Sequence, residues 1–208
     1  MHPYAVDVDE RRAVLLKLLV PTVLMAVGTQ WVWAWLIDVV FETPPVWLLA
    51  LIGPSGAAGL LAFVVVRIED KWWSKGVVRW CLGISTPDLR GTWKVEGVTS
   101  YDDGNKNWSA TTTIDQTWTK VLIYQDALFS YSESTSASIK VGSSPTHPTL
   151  NYEYRNTPKP EAFSTMHIHR GFVNLRLSVV AEHFVLTGEY YTHPKERANW
   201  GSMVLTHQ

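Results

Sequence analysis

Two long runs without a formal charge constrain the first third of the chain: no Asp, Glu, Lys, Arg or His occurs from Leu18 to Ile37, and none from Thr43 to Val66. At about 1.5 Å per helical residue, either run is long enough for a hydrocarbon core of about 30 Å. Asp38 and Glu42 leave only a short connection between them, and Pro44 and Pro45 open the second run, as suits a first helical turn. The expectation is a membrane α-helical hairpin over residues 18–66, with spans at about 18–41 and 43–66, preceded by a cytoplasmic N-terminal segment 1–17. Arg11, Arg12 and Lys17 precede the first run, Arg67, Lys71, Lys75 and Arg79 follow the second, and the connection has no basic residue, so the positive-inside rule places both termini in the cytoplasm. A cleaved signal peptide is the competing reading of the first run. Against it stand Asp7, Asp9 and Glu10 ahead of the run and no small-residue cleavage site after it.

Seven of the eleven tryptophans fall in the first 80 residues, as at a membrane interface. Within the second run, Gly53 to Ala57 and Ser55 to Gly59 put small residues at four-residue spacing, a face that lets helices approach closely, either in self-association or within the hairpin. Gln30 is the most polar side chain of the first run and is too little to imply a pore. Residues 67–89 form a basic and aromatic juxtamembrane linker. There Lys71, Lys75 and Arg79 lie along one side, which fits an interfacial helix or a plain extension of the second span.

From Arg90 the texture changes to short alternating runs rich in Thr, Val, Ile and Tyr, separated by Gly, Pro, Asn and Asp. Eight strands are expected, at 92–99, 109–117, 119–126, 132–141, 149–156, 171–178, 183–192 and 200–206. Turns are expected at 102–105, 142–148 and 156–160. Residues 90–208 therefore read as an all-β domain, a compact eight-stranded antiparallel β-barrel, since closure removes exposed sheet edges. A sandwich is the alternative. Alternation puts Ile114, Gln116 and Trp118 on one face, and Leu150, Tyr152, Tyr154 and Asn156 on one face of a later strand. Pointed inward, those faces make an aromatic and polar interior suited to one small ligand.

Catalytic signals are weak. The chain has no GxSxG, P-loop, GxGxxG or HExxH pattern, and its one cysteine, Cys81, lies outside the strand-rich region. His167 and His169 would share a strand face but lack a third metal ligand nearby, so no metal and no catalytic residue is assigned. Asn107-Trp108-Ser109 matches a glycosylation sequon and is read as chance on a cytoplasmic domain. Lys plus Arg total 18 against 19 Asp plus Glu, which excludes a polymeric nucleic acid partner but leaves room for one or two phosphates.

The ordered set LRGTWKVEG (89–97), IDQTW (114–118), SESTSASIKV (132–141), LNYEYRNTP (150–158), HRG (169–171), LTGEYYT (186–192) and GSMVL (201–205), behind the apolar pair, resembles the two-transmembrane, β-strand-rich effectors encoded beside CD-NTases in bacterial CBASS antiphage operons. That resemblance implies a non-enzymatic barrel in a bacterial inner-membrane protein. The barrel would sense a cyclic dinucleotide made by the CD-NTase, without a further cofactor. Homo-oligomerisation would follow, then disruption of membrane lipid and abortive infection. On the matching motifs, alternation and chemistry assign Gln116, Trp118, Ser132, Ser134, Tyr152, Tyr154, Asn156, His169, Arg170, Tyr191 and Arg197 to the ligand-facing set. The segment HPKERANW (193–200) is poorer in arginine than the resemblance leads one to expect. A membrane-tethered, calycin-like barrel for a small apolar ligand is the alternative reading.

Overall fold

The computed structural model describes residues 1–7, 9–40, 54–101, 106–142, 147–180, 183–196 and 198–208. The chain divides into two compact units, Met1–Val8 with Thr86–Gln208, and Asp9–Ser85.

The first unit is a closed β-barrel. Its strands are β1 (His2–Val6), β2 (Gly91–Thr99), β3 (Lys106–Gln116), β4 (Lys120–Ala127), β5 (Ser130–Lys140), β6 (Thr149–Pro158), β7 (His169–Val180), β8 (His183–Thr192) and β9 (Trp200–His207). Around the barrel they run β1-β4-β3-β2-β9-β8-β7-β6-β5, with β5 returning to β1 and β4. Eight of them answer to the eight expected segments and pair antiparallel. Among the described residues the strand count is nine rather than eight. The extra strand, β1, lies in the N-terminal segment, where five residues including a proline carry no readable alternation.

β1 fills a split in the sheet. β4 and β5 pair with each other only from Tyr124–Asp126 to Tyr131–Glu133. Beyond that stretch they diverge, and β1 enters, antiparallel to β4 at Val121 and parallel to β5 at Ala137–Ile139. A bulge between Ser134 and Ser136 marks the divergence on β5. Tyr4 is 2% exposed, and its hydroxyl donates to the Trp118 carbonyl at 2.7 Å. The Asp7 carboxylate accepts the Val141 N–H at 2.6 Å, holding the far end of the strand.

The period-2 pattern fixes what lies inside. On β2, Trp93 and Val95 are buried while Lys94 and Glu96 are exposed and form an ion pair at 2.7 Å. Trp93, Val95, Ile114, Val121, Ile123, Ile139, Leu150, Leu175, Leu186 and Leu205 pack into one cluster that continues to Tyr152, Tyr154 and Tyr190. Toward the other end the inward positions change character, to Gly97, Trp108, Gln125, Ser130, Ser132, Tyr152, Tyr154, Asn156, His169, Tyr190 and Thr192.

The second unit contains α1 (Glu10–Val40), α2 (Pro54–Asp70), a 3-10 turn at Trp72–Ser74 and α3 (Gly76–Leu82). Gly83 ends α3 with φ 74°, the left-handed conformation common after a helix. Lys17 donates to the Leu82 carbonyl at 2.8 Å, and the Glu10 carboxylate accepts the Ser85 N–H at 2.8 Å and its hydroxyl at 2.7 Å. Val14, Ile68 and Trp73 are buried.

The expected multi-pass inner-membrane placement is corrected here: among the described residues no helix is long and apolar enough to cross a membrane. Within the described residues α2 covers 17, fewer than the ~20 that span a bilayer, and ends in Arg67, Glu69 and Asp70. α1 is longer and carries Pro21 within it. Part of the expected second span, 43–53, the last residue of the expected first span, 41, the expected turn at 102–105 and residues 143–146 of the expected turn at 142–148 lie outside the described residues.

Candidate functional site

A cavity of about 700 Å³ opens at the polar end of the barrel. That volume lies within the roughly 300–1,000 Å³ typical of small-molecule sites. Four aromatic rings on the strands line its wall, Trp108 on β3, Tyr152 and Tyr154 on β6, and Tyr190 on β8, and Tyr101 and Phe129 line it from beyond the strand ends. Trp108 meets Tyr190 edge-on at 5.8 Å, and Tyr152 and Tyr154 lie 6.5 Å apart at 58°. Between the rings are short polar side chains from alternate positions of β4, β5 and β6. Asn156 donates to the Ser130 hydroxyl at 3.0 Å, and Thr112 donates to Gln125 at 3.2 Å on the inner face of β3 and β4. Burial, and secondarily Tyr154, pushes the Tyr152 hydroxyl well above the ordinary tyrosine range, so it is an uncharged donor at any physiological pH.

His169 is 6% exposed at the start of β7 and donates from Nδ1 to the His167 carbonyl at 2.9 Å. His167 itself is exposed. Charged side chains are few on this wall: Lys106 stands at the lip, and Glu161 belongs to the segment 160–166 that forms part of the rim. That segment is held to the β4–β5 tip by Lys159, which donates to the Ala127 carbonyl at 2.7 Å and pairs with Asp126 at 2.7 Å. Leu128 and Phe129 form the tip and are exposed at the mouth.

Five of the residues assigned from sequence, Ser132, Tyr152, Tyr154, Asn156 and His169, come together on this wall. Gln116 and Trp118 are also buried, but at the packed end of the barrel. There the Gln116 amide donates to Tyr4 Oη at 3.2 Å and the Pro87 carbonyl at 3.1 Å, while its oxygen accepts the Leu89 N–H at 2.9 Å. Ser134 sits at the split, accepting the Ile123 N–H at 2.9 Å and standing 2.8 Å from His2 Nε2. Tyr191 is exposed and donates to Glu189, which raises its hydroxyl pKa. Arg170 is exposed in a shallow outer groove and pairs with Glu196 at 3.1 Å. Arg197 lies outside the described residues. Sequence reasoning missed Trp108 and Tyr190. Both were legible as inward positions, Trp108 two residues before Ala110 and four before Thr112, and Tyr190 in step with Leu186.

The Arg170 backbone N–H and guanidinium hold the Glu196 carboxyl below its ordinary value. A depressed carboxylate adds stability above its unfolded pKa and loses it as pH falls through the lower folded value. Both groups are surface-exposed, so replacing Arg170 by Ala is expected to change the melting temperature little at neutral pH. Lying outside the cavity, it should also leave small-ligand affinity within twofold, as read by calorimetric titration.

A sequence profile described as the Cap15 cyclic dinucleotide receptor domain matches residues 84–207. The chain is also 36% identical over 124 residues to CD-NTase-associated protein 15 of Yersinia aleksiciae, covering 59% of this chain and 56% of that protein. It thus spans about half the length of the curated relative it matches. With the aromatic cavity and eight of the nine barrel strands falling within the matched segment, the chain belongs to the Cap15 family, to whose CD-NTase-associated effectors its strand motifs bear resemblance.

Proposed function

We propose that this chain is a CBASS effector whose barrel binds a cyclic dinucleotide in the cavity, without catalysing its turnover, and that binding promotes association of copies. The observation that carries the reading is the wall of four aromatic rings interleaved with serine, asparagine and threonine. Flat π faces suit nucleobases, and short polar groups suit base edges and ribose hydroxyls. His169 in the wall and Lys106 at the lip match a ligand with two phosphodiester charges better than a polyanion. Association follows only if the ligand prefers the assembled form. The exposed α1 side chains Leu15, Leu16, Leu19, Val20, Val23 and Leu24 are apolar surface that a second copy would cover.

The test is a melting-temperature screen of the full chain against 3′,3′-linked cyclic dinucleotides built from A, G, C and U. At 100 times its dissociation constant, a ligand adds about 2.7 kcal/mol, on the order of 10 °C for a domain of this size. One nucleotide is expected to give that shift, to be recovered unchanged, and to raise the sedimentation coefficient. No shift with any of them would defeat the binding reading. A shift without a change in sedimentation would defeat the assembly step alone.

A further inference from the structure

Glycine inside a strand weakens it, so an inward glycine calls for a reason. Three of the inward glycines of this barrel each stand directly opposite a cavity ring on a neighbouring strand: Gly97 opposite Trp108, Gly171 opposite Tyr154, and Gly201 opposite Tyr190. Around this arc, glycine and aromatic positions run Tyr154 on β6, Gly171 on β7, Tyr190 on β8, Gly201 on β9, Gly97 on β2 and Trp108 on β3. The ring occupies the space that a side chain at the glycine would fill. A Cβ on Gly97 would fall 2.5–2.7 Å from three indole atoms of Trp108, and one on Gly201 would fall 2.7 Å from the Tyr190 ring. A Cβ on Gly171 would overlap the phenol of Tyr154. None of the three has a positive φ, so backbone conformation is not what calls for glycine there.

We propose that Gly97, Gly171 and Gly201 are positioning residues for ligand recognition: each lets the neighbouring ring lie down along the barrel wall, leaving one face toward the lumen and the lumen open. With a side chain at the glycine, the ring would stand up into the space the ligand needs. This inference rests on the cyclic dinucleotide reading above and identifies the elements that shape its base-stacking surface.

Gly97 is the position to test. The three atoms nearest its added Cβ all belong to the Trp108 side chain, whereas additions at Gly171 and Gly201 also run into backbone carbonyls. The full chain is prepared as wild type, Gly97→Ala, Trp108→Ala and the double variant. Affinity is measured for the nucleotide that gives the largest melting shift with wild type. In parallel, 5-fluorotryptophan is incorporated and the Trp108 fluorine resonance, assigned by its loss in Trp108→Phe, is recorded without ligand.

Gly97→Ala is expected to move that resonance and weaken binding at least tenfold. In the Trp108→Ala background the same change should add nothing, because the group it acts through is gone. An unmoved resonance overturns the proposal, and so does a loss of affinity that persists at full size without the indole. Loss of folding in Gly97→Ala that Trp108→Ala does not relieve also overturns it. If no nucleotide binds wild type, the sensor reading fails, while the fluorine resonance still decides whether Gly97 places the ring.

Discussion

A chain lacking residues 1–8 is expected to lose the cooperative melting of its barrel. β1 is the wedge between the diverging ends of β4 and β5, and without it the backbone groups around Val121 and Ala137–Ile139 lose their strand partner. The point substitution Tyr4→Ala should reproduce much of the loss. Tyr4 is almost wholly buried and its hydroxyl joins Trp118 to Gln116, so removing the ring should cost about 3–5 kcal/mol, by analogy with other large-to-small aromatic changes. Against a total stability of roughly 5–15 kcal/mol, that is about a fifth or more. Urea denaturation followed by circular dichroism reads it directly. A peptide of residues 1–8 added to the truncated chain should restore part of the transition. An unchanged midpoint in Tyr4→Ala would mean that β1 is dispensable to the barrel.

Stability and recognition should also separate along the barrel axis. Gln116→Met keeps the volume of a buried side chain but leaves the Leu89 N–H without its acceptor and the Pro87 carbonyl without its donor. At about 1–3 kcal/mol for each group left unsatisfied, the fold should lose roughly 2–6 kcal/mol. Cyclic dinucleotide affinity, measured where the variant is still folded, should stay within threefold, since Gln116 is remote from the cavity wall. Tyr154→Leu should do the reverse. Apolar bulk is kept but a π face is removed, weakening binding by about 1–3 kcal/mol, roughly 5- to 150-fold, with a smaller change in melting. Weakened binding in Gln116→Met, or unaltered binding in Tyr154→Leu, would relocate the site.

The eight strands after residue 90 were legible because their alternation is strong and their turns are chemically marked; β8 (His183–Thr192) was expected with the bounds it has. β1 was not legible, because a five-residue strand in HPYAV is defined by the gap it fills and not by a pattern of its own. The same limit governs the site. Alternation recovers which residues point inward, so Gln116 and Tyr154 read alike, but depth along the axis depends on strand stagger, which a single sequence does not display. Thus Gln116 and Trp118 lie at the packed end while Tyr152, Tyr154 and Asn156 reach the cavity. Alternation and chemistry read from the sequence put Tyr191 in the ligand-facing set, whereas the phase set by Leu186 puts Tyr190 inside and Tyr191 out. Trp108, flanked by Asn107 and Ser109, lay just before the point where the expected strand began.

The split between β4 and β5 also sets an order of events at the ribosome. The first partner of β1, Lys120, is 114 residues beyond Val6, and at about 5–20 residues per second it emerges on the order of ten seconds later. For that interval residues 2–6 have nothing to pair with, while the whole of Asp9–Ser85 is made and free to collapse. Closure of the sheet then waits for the element translated earliest to find strands translated much later. A nascent chain arrested before residue 120 should therefore carry residues 2–6 unprotected, open to protease and to chaperones, whatever state the segment behind them has reached.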